Sequence, residues 1–322
     1  MSWYPVPIPS QAGRSVLVTG ANAGLGFFTA ARLARAGAHV TLSGRSPERL
    51  QAAVVALRHR MPRAAVDTLV IDTSSLESVH AGVERLLDRA PLTSVVLNAG
   101  MVHTPGSRHE SVDGHELVLA TNVLGHFALI ARLLPHLAAG ARVVTLGSLS
   151  TRLSTFRVDD LELRRSYDAW RAYAQSKIAA TSIAFELDRR LRRAAEDAAE
   201  AVGAASATPR VHSVVAHPGY AISGRTPSVP GVSAPPRIDR FLDALQAPFA
   251  QGKHRGAEPV VHAVVADDVE GGQFWGPRFL TKGEPRLATP TRTSRDPRIG
   301  ARVWAFAEEA TGVRLDARQV GS

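Results

Sequence analysis

Short unbroken apolar runs alternate with longer segments in which apolar residues return every three or four positions. Val16-Leu17-Val18 is the first run and ends in a glycine-rich turn. Leu25 to Ala36 then shows helical spacing at Leu25, Phe28, Leu33 and Ala36, and Gly37 stops it. The alternation continues. Strands are predicted at His39 to Leu42, Thr68 to Ile71, Ser94 to Leu97, Val143 to Leu146 and Val211 to Ala216. Helices are predicted at Pro47 to Arg60, Leu76 to Arg89, Gly114 to Leu137 and Ala169 to about Arg193. Strands that are apolar at every position are buried on both faces, which is the signature of a parallel sheet between two helical layers. Right-handed crossovers make such a sheet doubly wound, with ligands at the carboxyl ends of its strands.

Two segments break the alternation. Ala194 to Pro209 is alanine-rich and reads as a helix tail plus a flexible loop; Tyr220 to Pro259 is proline-rich, with a short helix at Arg237 to Phe249. Gly271 to Trp275 reads as a last strand, giving about seven, and Arg302 to Thr311 as a last helix. There is no internal repeat of solenoid length and no linker between separate cores. The fold class expected is therefore α/β, a single-domain Rossmann-type doubly wound parallel sheet over residues 1–322.

Composition narrows the chemistry. The 322 residues contain no cysteine, which excludes disulfides, a thiol nucleophile and cysteine-ligated zinc. The twelve histidines show no metal spacing, so no metal is expected. Lys and Arg total 38 against 29 acids, a formal charge of +9, yet only Lys177, Lys253 and Lys282 are lysines. Most arginines are dispersed among acids and read as surface, so nucleic-acid binding ranks low. No run reaches the roughly 18 apolar residues of a membrane helix. The start, Met1 to Arg14, holds three prolines and does not resemble a secretory signal. A cytoplasmic protein with no membrane span is expected.

The first strand runs into Thr19-Gly-Ala-Asn-Ala-Gly-Leu-Gly26. Gly20, Gly24 and Gly26, with Asn22 and Leu25, sit between a strand and a helix, where glycine lets the backbone approach a pyrophosphate held by the helix N-terminus. The alternative is a tight turn with no ligand. The second strand ends Leu42-Ser43-Gly44-Arg45. An NAD site usually places an acid here; its absence, and the guanidinium of Arg45, favour the 2′-phosphate of NADP(H) over NAD(H). The alternative for Arg45 is an exposed loop arginine.

Asp72 follows the third strand, Asn98-Ala99-Gly100 the fourth, Asn122 lies in the long helix and Ser148 follows the fifth strand. Tyr173-Ala-Gln-Ser-Lys177 opens the next helix and His217-Pro218-Gly219 ends the sixth strand. In this order and spacing the chain, over about Ser15 to Ser223, resembles the short-chain dehydrogenase/reductase family. Asn122-Val-Leu-Gly-His126-Phe127 and Phe156-Arg-Val-Asp-Asp160-Leu161 resemble its retinol dehydrogenase and WW-domain oxidoreductase branch. The resemblance implies Asn122, Ser148, Tyr173 and Lys177 as the catalytic set, with Tyr173 as general acid or base. It also implies dinucleotide contacts at Asp72, Asn98, Gly100, Tyr173, Lys177, Pro218 and Gly219, and at Ser223 in place of the family's threonine. Tyr173 and Lys177 are four apart and share a helix face, where an ammonium is expected to lower the phenol pKa. Asp72 also suits a helix cap, Asn98 a turn, and Ser150 and Ser154 rival Ser148. His126 and His217 read as structural.

Residues 15–150 then form mainly the cofactor half, and 151–322 the Tyr/Lys helix with a variable substrate lobe. The function expected is NADP(H)-dependent hydride transfer between nicotinamide and a carbonyl or alcohol. Phe156, Trp170, Tyr220, Phe241 and Phe249 suggest an apolar small-molecule substrate. Alternatives are a non-catalytic NADP(H)-binding regulator and an epimerase or dehydratase of the same family. Many members of the family pair through long helices, so a homodimer or homotetramer is expected.

Overall fold

The computed structural model describes residues 7–202 and 210–319. The N-terminal half alternates β1 (Ser15–Thr19), α1 (Gly24–Arg35), β2 (His39–Gly44), α2 (Pro47–Arg60), β3 (Val66–Val70), α3 (Leu76–Leu87) and β4 (Leu92–Leu97). One helical turn, α4 (Leu117–Leu119), passes through a π-helical stretch, Ala120–Leu124, into α5 (Gly125–Leu133). Then come β5 (Leu137–Leu146), α6 (Ala169–Val202) and β6 (His212–Ala216). The C-terminal lobe contains β7 (Ala221–Ile222), α7 (Arg237–Leu245), β8 (Gln251–Gly252), α8 (Lys253–Gly256) and α9 (Glu258–Val265). It closes with β9 (Phe274–Pro277), β10 (Pro285–Leu287), α10 (Arg292–Arg295) and α11 (Pro297–Thr311).

The main sheet has eight strands in the order β10-β9-β6-β5-β4-β1-β2-β3, with β7 and β8 paired separately. Every pairing in it is parallel except β10 against β9. This is the doubly wound Rossmann-type fold, and the order reverses between β1 and β4. The continuous apolar strands are explained by two cores. Val16, Val18, Val40, Leu42 and Val96 point to one side, against α1, α2 and α9. Leu17, Leu69, Val95, Leu97 and Val143 point to the other, against α3, α5, α6 and α11. Each of these strands buries alternate residues in opposite layers, so its sequence reads as a largely apolar run.

Several expectations are refined or changed. The long helix at Gly114 to Leu137 is broken: the π-helical turn interrupts it and Leu137 already belongs to β5. The Tyr/Lys helix runs on to Val202, so the Ala194 to Pro209 segment begins with the helix tail expected of it, and 203–209 lie outside the described residues. The last helix starts at Pro297, capped by Asp296, and the α7 helix stops at Leu245. Helix α9 and strand β10 were not foreseen; α9 carries a proline in its first turn, where a missing N–H costs no intrahelical bond, and that proline disguised it as loop. The segment Leu117–His136 is also apolar and long enough to cross a membrane, contrary to the expectation that no such stretch exists. It is mostly buried among the protein's own helices and strands.

Candidate active site

The site forms where the sheet order reverses, from the turns that follow β1, β4, β5 and β6. Gly20 adopts φ +64 and a Cβ there would lie 2.8 Å from Ala99 Cα, so β1 and β4 end in direct backbone contact. A Cβ on Gly26 would meet Gly20 O and Asn98 Nδ2. Asn98 donates through Nδ2 to Thr19 O (2.8 Å) and Gly20 O (3.3 Å), and its N–H donates to Thr19 Oγ1 (2.9 Å). Asn98 therefore builds the glycine turn. Buried His126 locks the same point: Nε2 is 3.0 Å from Thr19 Oγ1, and burial pulls its pKa down to about 3, so it is neutral.

Helix α1 differs from its neighbours at its start. Ser46 caps α2 and Ser75 caps α3, but Ala23 gives α1 no side-chain cap and its first turn has no acid. Its leading N–H groups and positive dipole end are left for an outside anion. Leu25 is half-buried against the core. Asn22 packs on the end of β2, its Oδ1 3.0 Å from where a Gly44 Cβ would be. Ser43 presents a buried hydroxyl with no partner, and Arg45 is exposed with no hydrogen bond or ion pair among the described residues. A dinucleotide fits this cradle: backbone cleared by glycine, an uncapped helix, and a free guanidinium beyond β2. Asp72 lies at the end of β3 and is occupied locally, accepting from Ser74 N–H (2.9 Å) and Ser74 Oγ (2.7 Å). The cap of α3 is Ser75, not Asp72.

Ser148, Tyr173, Lys177 and Asn122 gather around the first turns of α6. Tyr173 Oη donates to Ser148 Oγ at 3.2 Å. Ser148 also receives Ser150 N–H (3.2 Å) and Ser150 Oγ (3.0 Å), whereas Ser154 turns to Thr155 O, so geometry selects Ser148. Lys177 is buried and donates to Leu146 O at 2.9 Å; burial lowers its pKa to about 8. Burial also raises the Tyr173 pKa, opposed by the Ser148 hydrogen bond. This corrects the expectation of a lowered phenol: without ligand, desolvation outweighs any help from the neighbouring ammonium. Asn122 sits in the π-helical turn. Its Nδ2 donates to Ser176 Oγ (2.9 Å) and Met101 O (3.3 Å), and its Oδ1 accepts Met101 N–H (2.8 Å). Gly100 lies against the same amide.

After β6, His217 stacks on Phe274 (5.2 Å between centroids) and accepts Gly219 N–H (3.2 Å) through Nδ1. Burial lowers its pKa to about 4, which supports a structural role. Pro218 O accepts Gln251 Nε2 (2.8 Å), and half-buried Ser223 accepts Thr226 N–H through its carbonyl (2.9 Å). Buried Thr226 in turn receives Lys253 N–H at 2.9 Å. Neither Thr226 nor Lys253 was singled out from the sequence, although lysine is rare in this chain. An apolar cavity of ≈ 30 Å³ lined by Asn122, His126, Phe127 and Trp304 has room for about one water, not a substrate.

The short chain dehydrogenase family model matches residues 14–195, more than half of the chain. The chain belongs to the short-chain dehydrogenase/reductase family. It is 35% identical to polyprenol dehydrogenase of Mus musculus over 318 residues, 96% of this chain and 87% of that one. It is 30% identical to retinol dehydrogenase 14 of Mus musculus over 318 residues, 94% and 86% of the two chains. The crystal structure of a Burkholderia cenocepacia short chain dehydrogenase in complex with NADP superposes with a TM-score of 0.59 at 23% identity, covering 82% of this chain and 96% of that one, and shares the fold. The chain is thus an oxidoreductase of this family. These relatives overturn the cytoplasmic expectation: they are named for retinol and polyprenol, lipid alcohols that partition into membranes, so composition alone gives no ground for that location.

Proposed function

We propose that this protein is an NADP(H)-dependent oxidoreductase that interconverts an apolar carbonyl compound and its alcohol, with Tyr173 exchanging the proton. The observation that carries the proposal is the Tyr173–Ser148 hydrogen bond beside buried Lys177 on one helix face. A bound nicotinamide supplies or accepts the hydride. The protein's part is to hold the substrate oxygen between Ser148 Oγ and Tyr173 Oη, so that one hydroxyl orients it and the other moves its proton. A phenol is protonated near neutrality, the form that donates to a carbonyl, and burial pushes Tyr173 further toward that form. In this reading Lys177 holds the nicotinamide ribose, as the family resemblance implies, and Asn122 fixes Ser176 and the turn after Gly100.

Residues 15–150 form the cofactor half in this reading. Preference for NADP(H) is supported by unpaired Arg45 and by the absence of an acid at Gly44. An apolar substrate is supported by exposed Val102, Leu153, Trp170 and Tyr220 and by the alcohols for which the relatives are named. The test is NADPH consumption with a panel of aliphatic, aromatic and isoprenoid aldehydes and ketones, and NADP⁺ reduction with the matching alcohols. Turnover of an apolar member, abolished in Tyr173→Phe, is expected. Full turnover by Tyr173→Phe would exclude the tyrosine mechanism.

A further inference from the structure

The glycine turn between Thr19 and Gly26 contains no basic side chain. One reaches it from the C-terminal lobe. A Cβ placed on Gly24, the first residue of α1, would lie 3.5 Å from Lys253 Cδ and 3.8 Å from Lys253 Nζ. The lobe fixes this approach through the backbone. Lys253 N–H donates to Thr226 Oγ1 (2.9 Å), which itself donates to Ile222 O (2.8 Å), and Ile222 is in register with Gly252. Two neighbours of Lys253 clamp the same helix. A Cβ on Gly256 would be 3.0 Å from Leu25 Cδ2, and the His254 ring lies 5.9 Å from Phe28.

The ammonium stands where an isolated helix does not want it. A helix N-terminus carries about half a positive charge, so a cation beside it is repelled. Among the described residues Lys253 Nζ makes no hydrogen bond or salt bridge. Burial lowers its pKa, with the charge of Asp243 in opposition. A half-buried, unpaired cation facing uncapped N–H groups becomes favourable when an anion binds both. The stem of lysine lies along the bare Cα of Gly24, and its compact ammonium suits a point contact with phosphate, whereas nearly all other basic positions in this chain are arginine.

We infer that Lys253 binds the cofactor's pyrophosphate and so ties the C-terminal lobe to the glycine turn. This rests on the dinucleotide reading proposed above and adds a residue to it. Arg45 and Lys253 then divide the cofactor. Arg45 meets a phosphate present only in NADP(H); Lys253 meets one that NADP(H) and NAD(H) share. Lys253 therefore sets affinity for both and preference for neither.

The test is equilibrium binding of NADPH and NADH to the full chain by fluorescence titration or calorimetry, at low and high salt. Lys253→Met keeps the stem and removes the charge; Lys253→Gln is a second neutral variant, and Lys253→Arg restores the charge. Loss of one charge-assisted phosphate contact corresponds to about tenfold or more in Kd. Both neutral variants should weaken NADPH and NADH by similar factors and flatten the salt dependence, while Lys253→Arg recovers much of the affinity. Unchanged Kd values in the neutral variants would overturn the inference. So would weakening of NADPH alone, which would move Lys253 to the 2′-phosphate. If the wild-type protein bound neither dinucleotide, the cofactor reading itself would fail; wild-type binding with indifferent neutral variants removes only Lys253.

Discussion

Residues 15–146 and residues 218–296 solve different problems with different means. In the first region the sheet strands are largely apolar, and their apolar residues are buried between two helical layers. In the second, β7 and β8 have two residues each, α8 and α10 have four, and Ile238, Phe241, Leu245 and Phe249 are 61% to 71% exposed. The first region holds its backbone cradle closely, because a Cβ at Gly20 or Gly26 would meet neighbouring backbone and Asn98 ties the turn to Thr19. The second carries side chains whose replacement would leave that cradle intact. The difference teaches where variation is tolerated: the buried sheet edge constrains its backbone, whereas the lobe's exposed apolar side chains can change with little cost to the core.

The largest expected effect lies at the seam between the two regions. Tyr173→Phe removes the proton donor but keeps the ring. It should lower kcat by about 10²- to 10⁴-fold, the usual worth of general acid–base catalysis. Binding of NADPH should be unchanged, because the rigid region is untouched. Steady-state kinetics and a binding titration on the same sample check both halves; loss of binding together with kcat would place Tyr173 in the framework.

Next comes stability. Leu42 is fully buried in the first region, so Leu42→Ala should cost about 2–5 kcal/mol. Phe241 is 66% exposed, so Phe241→Ala should stay within about 0.5 kcal/mol. Thermal or urea melts decide. Similar losses in both would mean that the lobe is covered in solution, and the contrast between the regions would collapse.

The sequence shows the same divide. Strands β1 to β6 were legible because two-sided burial forces continuous apolar runs, and the site motifs stood directly after them. The lobe was hard to read because its elements are too short to develop a period. In α9, Pro259 in the first turn resembles loop punctuation unless the free N–H groups of that turn are considered. The break at Asn122 was invisible because a π-helical turn keeps the apolar composition of its helix. The direction of the Tyr173 pKa was misjudged because spacing reveals a neighbour at i+4 but not burial. Lys253 lies far from Gly24 in the chain, and only the packing of α8 on α1 brings the two together.

A smaller effect separates the two ends of the cofactor. Arg45→Leu removes a guanidinium that has no partner among the described residues, so folding should be unaffected. NADPH should bind about tenfold more weakly and NADH about equally, narrowing the preference between them. Parallel titrations with the two nucleotides are sufficient. Equal weakening of both would show that Arg45 does not read the 2′-phosphate, and would leave the choice of cofactor to another group.

The smallest effect concerns protons. His126 stays neutral in the fold down to about pH 3, because burial and the charge of Lys177 oppose its ionisation. An unfolded histidine takes up a proton below about 6.5. Between those values the unfolded state binds more protons, so stability is greatest above pH 6.5 and is lost as pH falls toward 3. Between pH 6 and pH 5 this amounts to about 1 kcal/mol. His126→Gln should flatten that slope whatever it does to stability at neutral pH, so the slope and not the level is the readout in urea melts across the range. His254, in the lobe, is also lowered, to about 4, but it is only partly buried and solvent screens it. His254→Gln should therefore change the slope less than His126→Gln. A larger change from His254 would mean that the lobe packs as tightly as the sheet, and that the division between rigid cradle and variable lobe is drawn in the wrong place.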